Sequence, residues 1–176
     1  METLAKKLNQ VMDSFVKSGQ VTVSQTNRGV MLDINASALF AQGEAALGLT
    51  AKNTLADVAK VLADGEQLIE VEGYTDNVPI STPVFPSNWE LSSARASSVV
   101  RLFIKQGVDG KRLSAVGAAD NNPVLGNDTP EGRARNRRVT VTVLTPELEK
   151  AIMSQQVSGE SPASGVNGDT DETVKP

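Results

Sequence analysis

The sequence predicts a small α+β sandwich, a single mixed sheet with helices packed on one face. Two observations carry this. Segments with apolar residues at alternate positions interleave with segments whose apolar residues recur every three to four positions. Their order along the chain reads helix–β–β–α–β–α–β–(α)–β, which suits one layer of strands covered by one layer of helices. With 176 residues, the chain has material for one domain with a real core and hardly for two.

Each element has a local reason. Leu4, Leu8, Val11, Met12 and Phe15 recur at helical spacing, and Gly19 follows as a stop. These residues read as an amphipathic linker helix within 1–20. "VTVSQTNRGVMLDI" alternates on both sides of "TNRG" and reads as a hairpin over 21–34. "NASALFAQGEAALG" has no clear period and reads as irregular. Thr50 is the expected N-cap of a helix whose Leu55, Val58, Ala59 and Leu62 share a face before Gly65. In "QLIEVEG", Ile69 and Val71 point one way and Glu70 and Glu72 the other. Ser87 and Glu90 form a capping box for a third helix with an inward stripe of Leu91, Ala94, Ser98 and Leu102, ended by Gly107. "RLSAVG" and "RRVTVTVL" supply two further strands. Between them Thr129 and Pro130 open a short helix. The body runs over 21–146, and 147–176 reads as a disordered polar tail, rich in Gly and Ser.

Composition removes whole classes of function. The chain has no histidine and no cysteine, so Ser-His and Cys-His catalysis, imidazole or thiolate metal sites and thiol redox chemistry are excluded. The formal charge is −4, of which −3 falls from Ala151 onward, leaving residues 1–150 close to neutral. Nucleic-acid binding needs a clustered excess of Lys and Arg, so none is expected. No run approaches the roughly 20 apolar residues that span a bilayer. "SFVK" at 14–17 fits the Ser-x-x-Lys pattern of penicillin-binding proteins but lacks the companion motifs. Asp76 has no nearby acid except Glu90, which the helix cap employs, so paired-carboxylate glycoside hydrolysis is not supported. No cofactor is implied.

"GYTDNVPISTPVFPSNWELSSARA", residues 73–96, is the stretch that asks for a function. Asp76 follows a strand, where a carboxylate is fixed by the strand and exposed by the loop, or else bonds its own turn. Arg95 lies beside a buried stripe in the first half of a helix, where the dipole gives a cation nothing. It needs a partner. The two form a structural ion pair, or they clamp a ligand with both an ammonium and a carboxylate. Gly73 would let such a ligand approach, and Pro83 and Pro86 would stiffen the loop between. Trp89 reads as a packing anchor, while Arg133 and Arg135 cap or face solvent.

"GYTD", "SNWELSSARASSV" and "GNDTPEGRARNRRVTV" keep the order and spacing of the OmpA-like peptidoglycan-binding family, which residues 30–145 resemble. "LFAQGEAAL" is similar to the family's segment before its first long helix. "SNWELS" and the long proline-bearing loop resemble the flagellar stator B-type subunits, the MotB, PomB and MotD group. The resemblance implies an OmpA-like sandwich and a non-catalytic wall anchor in which Asp76 and Arg95 grip the diaminopimelate of the peptidoglycan stem. It implies that Thr75, Asn88, Leu91, Ser92, Asn136 and Arg137 surround the groove. Tyr74 replaces the histidine more usual before "TD". A homodimer, a MotA-like partner reached through a membrane helix ahead of residue 1, contact with basal-body ring proteins and a periplasmic location on an inner-membrane protein follow from the same resemblance. A general outer-membrane or secretion-system wall anchor is the alternative, and a peptidoglycan hydrolase the less favoured one.

Overall fold

The structure, a computed structural model, describes residues 1–157. In chain order the elements are α1 (Glu2–Val11), α2 (Asp13–Lys17), β1 (Val21–Gln25), β2 (Gly29–Asn35), α3 (Ala36–Leu39), α4 (Leu49–Ala63), β3 (Ile69–Tyr74), α5 (Asn88–Lys105), β4 (Leu113–Gly117), α6 (Pro130–Asn136), β5 (Arg138–Leu144) and α7 (Pro146–Val157). The strands form one mixed sheet in the order β1-β2-β5-β3-β4, in which only β3 and β4 run parallel. The expected α+β sandwich is the observed one.

The alternation in each strand explains the layers. Leu32, Val71 and Val141 stand in one cross-strand row, fully or almost fully buried under the helices. Leu55, Val58, Ala59 and Leu62 of α4 and Ala96, Val99 and Phe103 of α5 close the other side of that core. The stripe of α5 is therefore rotated from the expected one, with Ala96, Val99 and Phe103 deeper than Ala94 and Leu102. The N-terminal segment breaks at Met12 into α1 and α2. Leu8, Met12 and Phe15 join the same core cluster.

Several local readings change. Gly48, not Thr50, precedes α4, and Thr50 lies inside the helix. "NASALFAQGEAALG" contains the short α3 and a bridge between Phe40 and Leu47 that folds the segment back. The tail expected from 147 continues as α7 to Val157. Thr145 caps it through Leu148 N at 3.3 Å, Pro146 opens it, and Glu149 accepts a bond from Leu68 N at 2.5 Å. The signal was present as Thr-Pro-Glu. The helix buries none of its residues, so no period marked it. Residues 158–176, the rest of the expected tail, lie outside the described residues.

The opposite face of the sheet is polar. Arg28 bridges Glu70 and Glu72, and the Arg138 guanidinium sits 4.0 Å from the Tyr74 ring centre. The Tyr74 hydroxyl donates to the Glu72 carboxylate. Burial, followed by that bond and the Glu72 charge, raises the Tyr74 pKa well above its ordinary value, against the pull of Arg138. A pKa raised on folding stabilises the fold fully below the unfolded value of about 10, and this contribution is lost as pH climbs beyond it. Tyr74 is the sole tyrosine. In alkaline titration, tyrosinate absorbance should therefore appear only together with loss of the folded circular-dichroism signal. A simple titration near 10 in folded protein would contradict the burial.

Candidate functional site

A cavity of about 550 Å³ opens where the end of β3, the start of α5, the segment after α3 and α6 converge. Of the eight residues expected there, Thr75, Asp76, Asn88, Leu91, Arg95 and Arg137 line it. The other two act behind it. Ser92 Oγ donates to Trp89 O and accepts from Ala119 N, both at 3.1 Å. Asn136 is fully buried, accepts from Val124 N and Leu125 N and donates to Leu125 O and Asn127 Oδ1. Ser92 and Asn136 fix the loop after β4 rather than face the cavity.

Asp76 and Arg95 share the cavity without pairing. Asp76 Oδ2 accepts from Arg137 Nη1 at 2.6 Å, while Oδ1 accepts from Val78 N at 3.0 Å. The Asp76–Arg95 ion pair is thus overturned: the acid's partner is Arg137, and it is also the turn residue that its position allowed. Arg95 is 4% exposed. Its Nε donates to Glu44 O at 2.8 Å, Nη2 to Ala41 O at 3.4 Å, and its guanidinium lies 5.1 Å from the Phe40 ring centre. Among the described residues no carboxylate forms an ion pair with Arg95. Burial, with Arg137 adding to it and Asp76 opposing, lowers its pKa to about 10, so it stays charged at neutral pH. A guanidinium has five N–H donors, and two are taken by the carbonyls. The others remain for a carboxylate in the cavity.

The loop across the mouth is held at its ends. Asn88 Nδ2 donates to Val78 O at 2.9 Å, and Ser87 caps α5 through Trp89 N at 3.2 Å and bonds Glu90 as a capping box. Arg133, which donates to Asn127 O at 2.9 Å, is a third guanidinium on the wall. Three arginines against Asp76 leave the cavity positive, suited to a ligand with more carboxylates than ammonium groups.

Two expectations are corrected here. Trp89 is 54% exposed and anchors no core, because the helix turns it outward while Leu91 and Ser92 turn in. Gly73 serves packing, since a Cβ there would meet the Ser92 carbonyl oxygen at 2.2 Å. Tyr74, which stands where the family more usually has histidine, faces away from the cavity, with its ring under Arg138 on the other face of the sheet. Phe40, Gln42 and Arg133 line the cavity unforeseen. Only the "LFAQGEAAL" resemblance pointed toward the first two, without assigning them a role.

Residues 39–137 match the OmpA family. The uncharacterized protein YtxE of Bacillus subtilis (strain 168) is 42% identical over 144 residues, 81% of this chain and 59% of that protein. Motility protein B of the same strain is 35% identical over 127 residues, 71% of this chain and 49% of that protein. The cell wall anchor of the T6SS from Pseudomonas aeruginosa has a similar solved structure, with a TM-score of 0.73 at 36% identity over 78% of this chain and 96% of that one. The chain therefore spans about half to three-fifths of the length of the two Bacillus subtilis relatives. Among the described residues no helix is long and apolar enough to cross a membrane. The family match, the mixed sheet and the cavity at the end of β3 agree: the chain belongs to the OmpA family, and its folded body is an OmpA-like domain of the MotB type.

Proposed function

We propose that this chain is the non-catalytic peptidoglycan-binding anchor of a flagellar motor stator. It grips the diaminopimelate-containing stem peptide and holds the ion-driven complex against the wall. The observation that carries this is the cavity in which Asp76, paired with Arg137, faces the same space as the buried Arg95. Asp76 takes the ammonium of the ligand, and Arg95 takes its carboxylate with Arg137 in support. Thr75, Asn88 and Leu91 shape the groove, and Ser92 and Asn136 brace it. The likeness to a motility protein B supports the stator assignment. The whole protein then acts as a homodimer beside a MotA-like subunit, reached through a membrane helix outside this chain, with ring proteins of the basal body within reach. This domain stands on the wall side of the inner membrane, in the periplasm. Residues 1–20, whose Leu8, Met12 and Phe15 pack into the domain core, carry the link toward the membrane, and 21–146 bind the wall.

Co-sedimentation with purified peptidoglycan tests the reading. Saturable binding displaced by free diaminopimelate is expected, and no sedimentation would overturn it. Asp76→Asn should lose roughly tenfold in affinity, because the ammonium loses a charge-assisted acceptor. Its melting should fall by only about 1 kcal/mol in stability, since the Arg137 partner is 43% exposed. Unchanged sedimentation of this variant would remove Asp76 from the site.

A second reading is favoured by the likeness to the T6SS wall anchor: the same grip on the wall serving another envelope machine. A deletion strain that swims normally but fails in secretion would decide for it.

A further inference from the structure

A neighbouring hollow lies beyond Arg95. This second hollow, of about 590 Å³, runs along α5, floored by Ala94, Ser98 and Arg101 and walled by Gly43–Ala46 and by Thr82, Val84 and Phe85. Gly43 lines both hollows, and Val78 and Ile80 wall the first as Thr82 and Phe85 wall the second. The two hollows adjoin at Gly43, between the segment after α3 and the loop before α5. The floor of the second is built: Ser98 is 8% exposed, and its hydroxyl bonds Ala45 O at 2.6 Å, tying α5 to the wall of that hollow. At the far end stands Arg101. It is exposed and donates to Ser98 Oγ at 3.3 Å, and among the described residues it has no ion-pair partner.

We infer that this second hollow is an extension subsite for the stem peptide, in which Arg101 receives a second carboxylate of the same ligand. The inference rests on the reading of the first cavity as a diaminopimelate site. Spacing supports it. Arg101 lies six positions after Arg95 on α5, about 9 Å along the axis and about a third of a turn round it. An extended peptide covers that distance in two to three residues of about 3.3 Å each. A stem peptide held at its diaminopimelate can therefore bring a neighbouring carboxylate to Arg101. Phe85 and Val84 offer apolar surface to the small alanine side chains between. The site thus reads a length of acidic peptide and not only one amino acid.

Two soluble probes separate this from the reading beneath it: free diaminopimelate, which fills only the first cavity, and a diaminopimelate-containing stem tetrapeptide. Calorimetric titration should find the tetrapeptide the tighter ligand. Arg101→Ala should weaken the tetrapeptide about two- to fivefold, the scale of a solvated ion pair. The affinity for free diaminopimelate should stay the same. Arg101→Glu should weaken the tetrapeptide further, and Arg101→Lys should restore part of the loss. Equal tetrapeptide affinity in the parent, Arg101→Ala and Arg101→Glu forms would overturn the extension while leaving the first cavity standing. Failure of the parent to bind free diaminopimelate would overturn both.

Discussion

Arg95→Ala is expected to lower binding to sacculi by about ten- to a hundredfold, the cost of one charge-assisted pair in a desolvated site. The same change should loosen the fold. Arg95 covers Phe40 and ties the carbonyls of Ala41 and Glu44 to α5. Losing those contacts should cost about 1–2 kcal/mol of stability. Arg95→Lys separates the two roles. A lysine keeps the charge but cannot hold two carbonyls and a carboxylate at once with a planar fork. It should therefore retain some wall binding on a weakened fold. Sedimentation onto sacculi and thermal melting of both variants check this. Full binding by the alanine variant would take Arg95 out of the site.

Gly73→Ala should unseat α5 from β3. The added Cβ would sit 2.2 Å from the Ser92 carbonyl oxygen and 3.0 Å from its carbon. Both are backbone atoms, so no side chain can swing away, and α5 must lift from β3. Overpacking of this kind costs about 3 kcal/mol or more, or roughly 6–12 °C in melting temperature for a chain of this size. Binding should fall with it, because Asp76 rides on the end of β3 while Asn88, Leu91 and Arg95 ride on α5. A variant that melts within a degree of the parent would show that the helix seat is looser than its contacts imply.

What was legible in the sequence was local. Alternation placed the five strands, and the Ser87–Glu90 and Thr129–Pro130 caps placed two helix starts within a residue. Strand-end and helix-face arguments singled out Asp76 and Arg95, and the structure brings both to one cavity. What was not legible depended on distant chain. Arg137 answers Asp76 across 61 residues, and no local pattern announces that pairing. Phe40 meets Arg95 because a segment without period folds back through the Phe40–Leu47 bridge. Gly73 looked like room for a ligand because the sequence does not say which surface of a strand end a helix will occupy. Trp89 looked like core because indoles usually are; one residue of helical rotation put it outside.

The position of β3 within the sheet bears on force. It lies between β5 and β4 and is hydrogen-bonded on both sides, over Ile69–Tyr74 against β5 and Ile69–Gly73 against β4. Its far end carries Asp76 two residues beyond the last paired position. Ladder bonds lie across the strand direction. A tether on the acid that pulls lengthwise therefore loads both rows in shear, with every bond sharing the strain. An edge strand would offer one row, and a pull across the strand would open its bonds in succession like a zipper. A grip mounted at the tip of a doubly flanked strand should yield at the ligand before it yields in the protein.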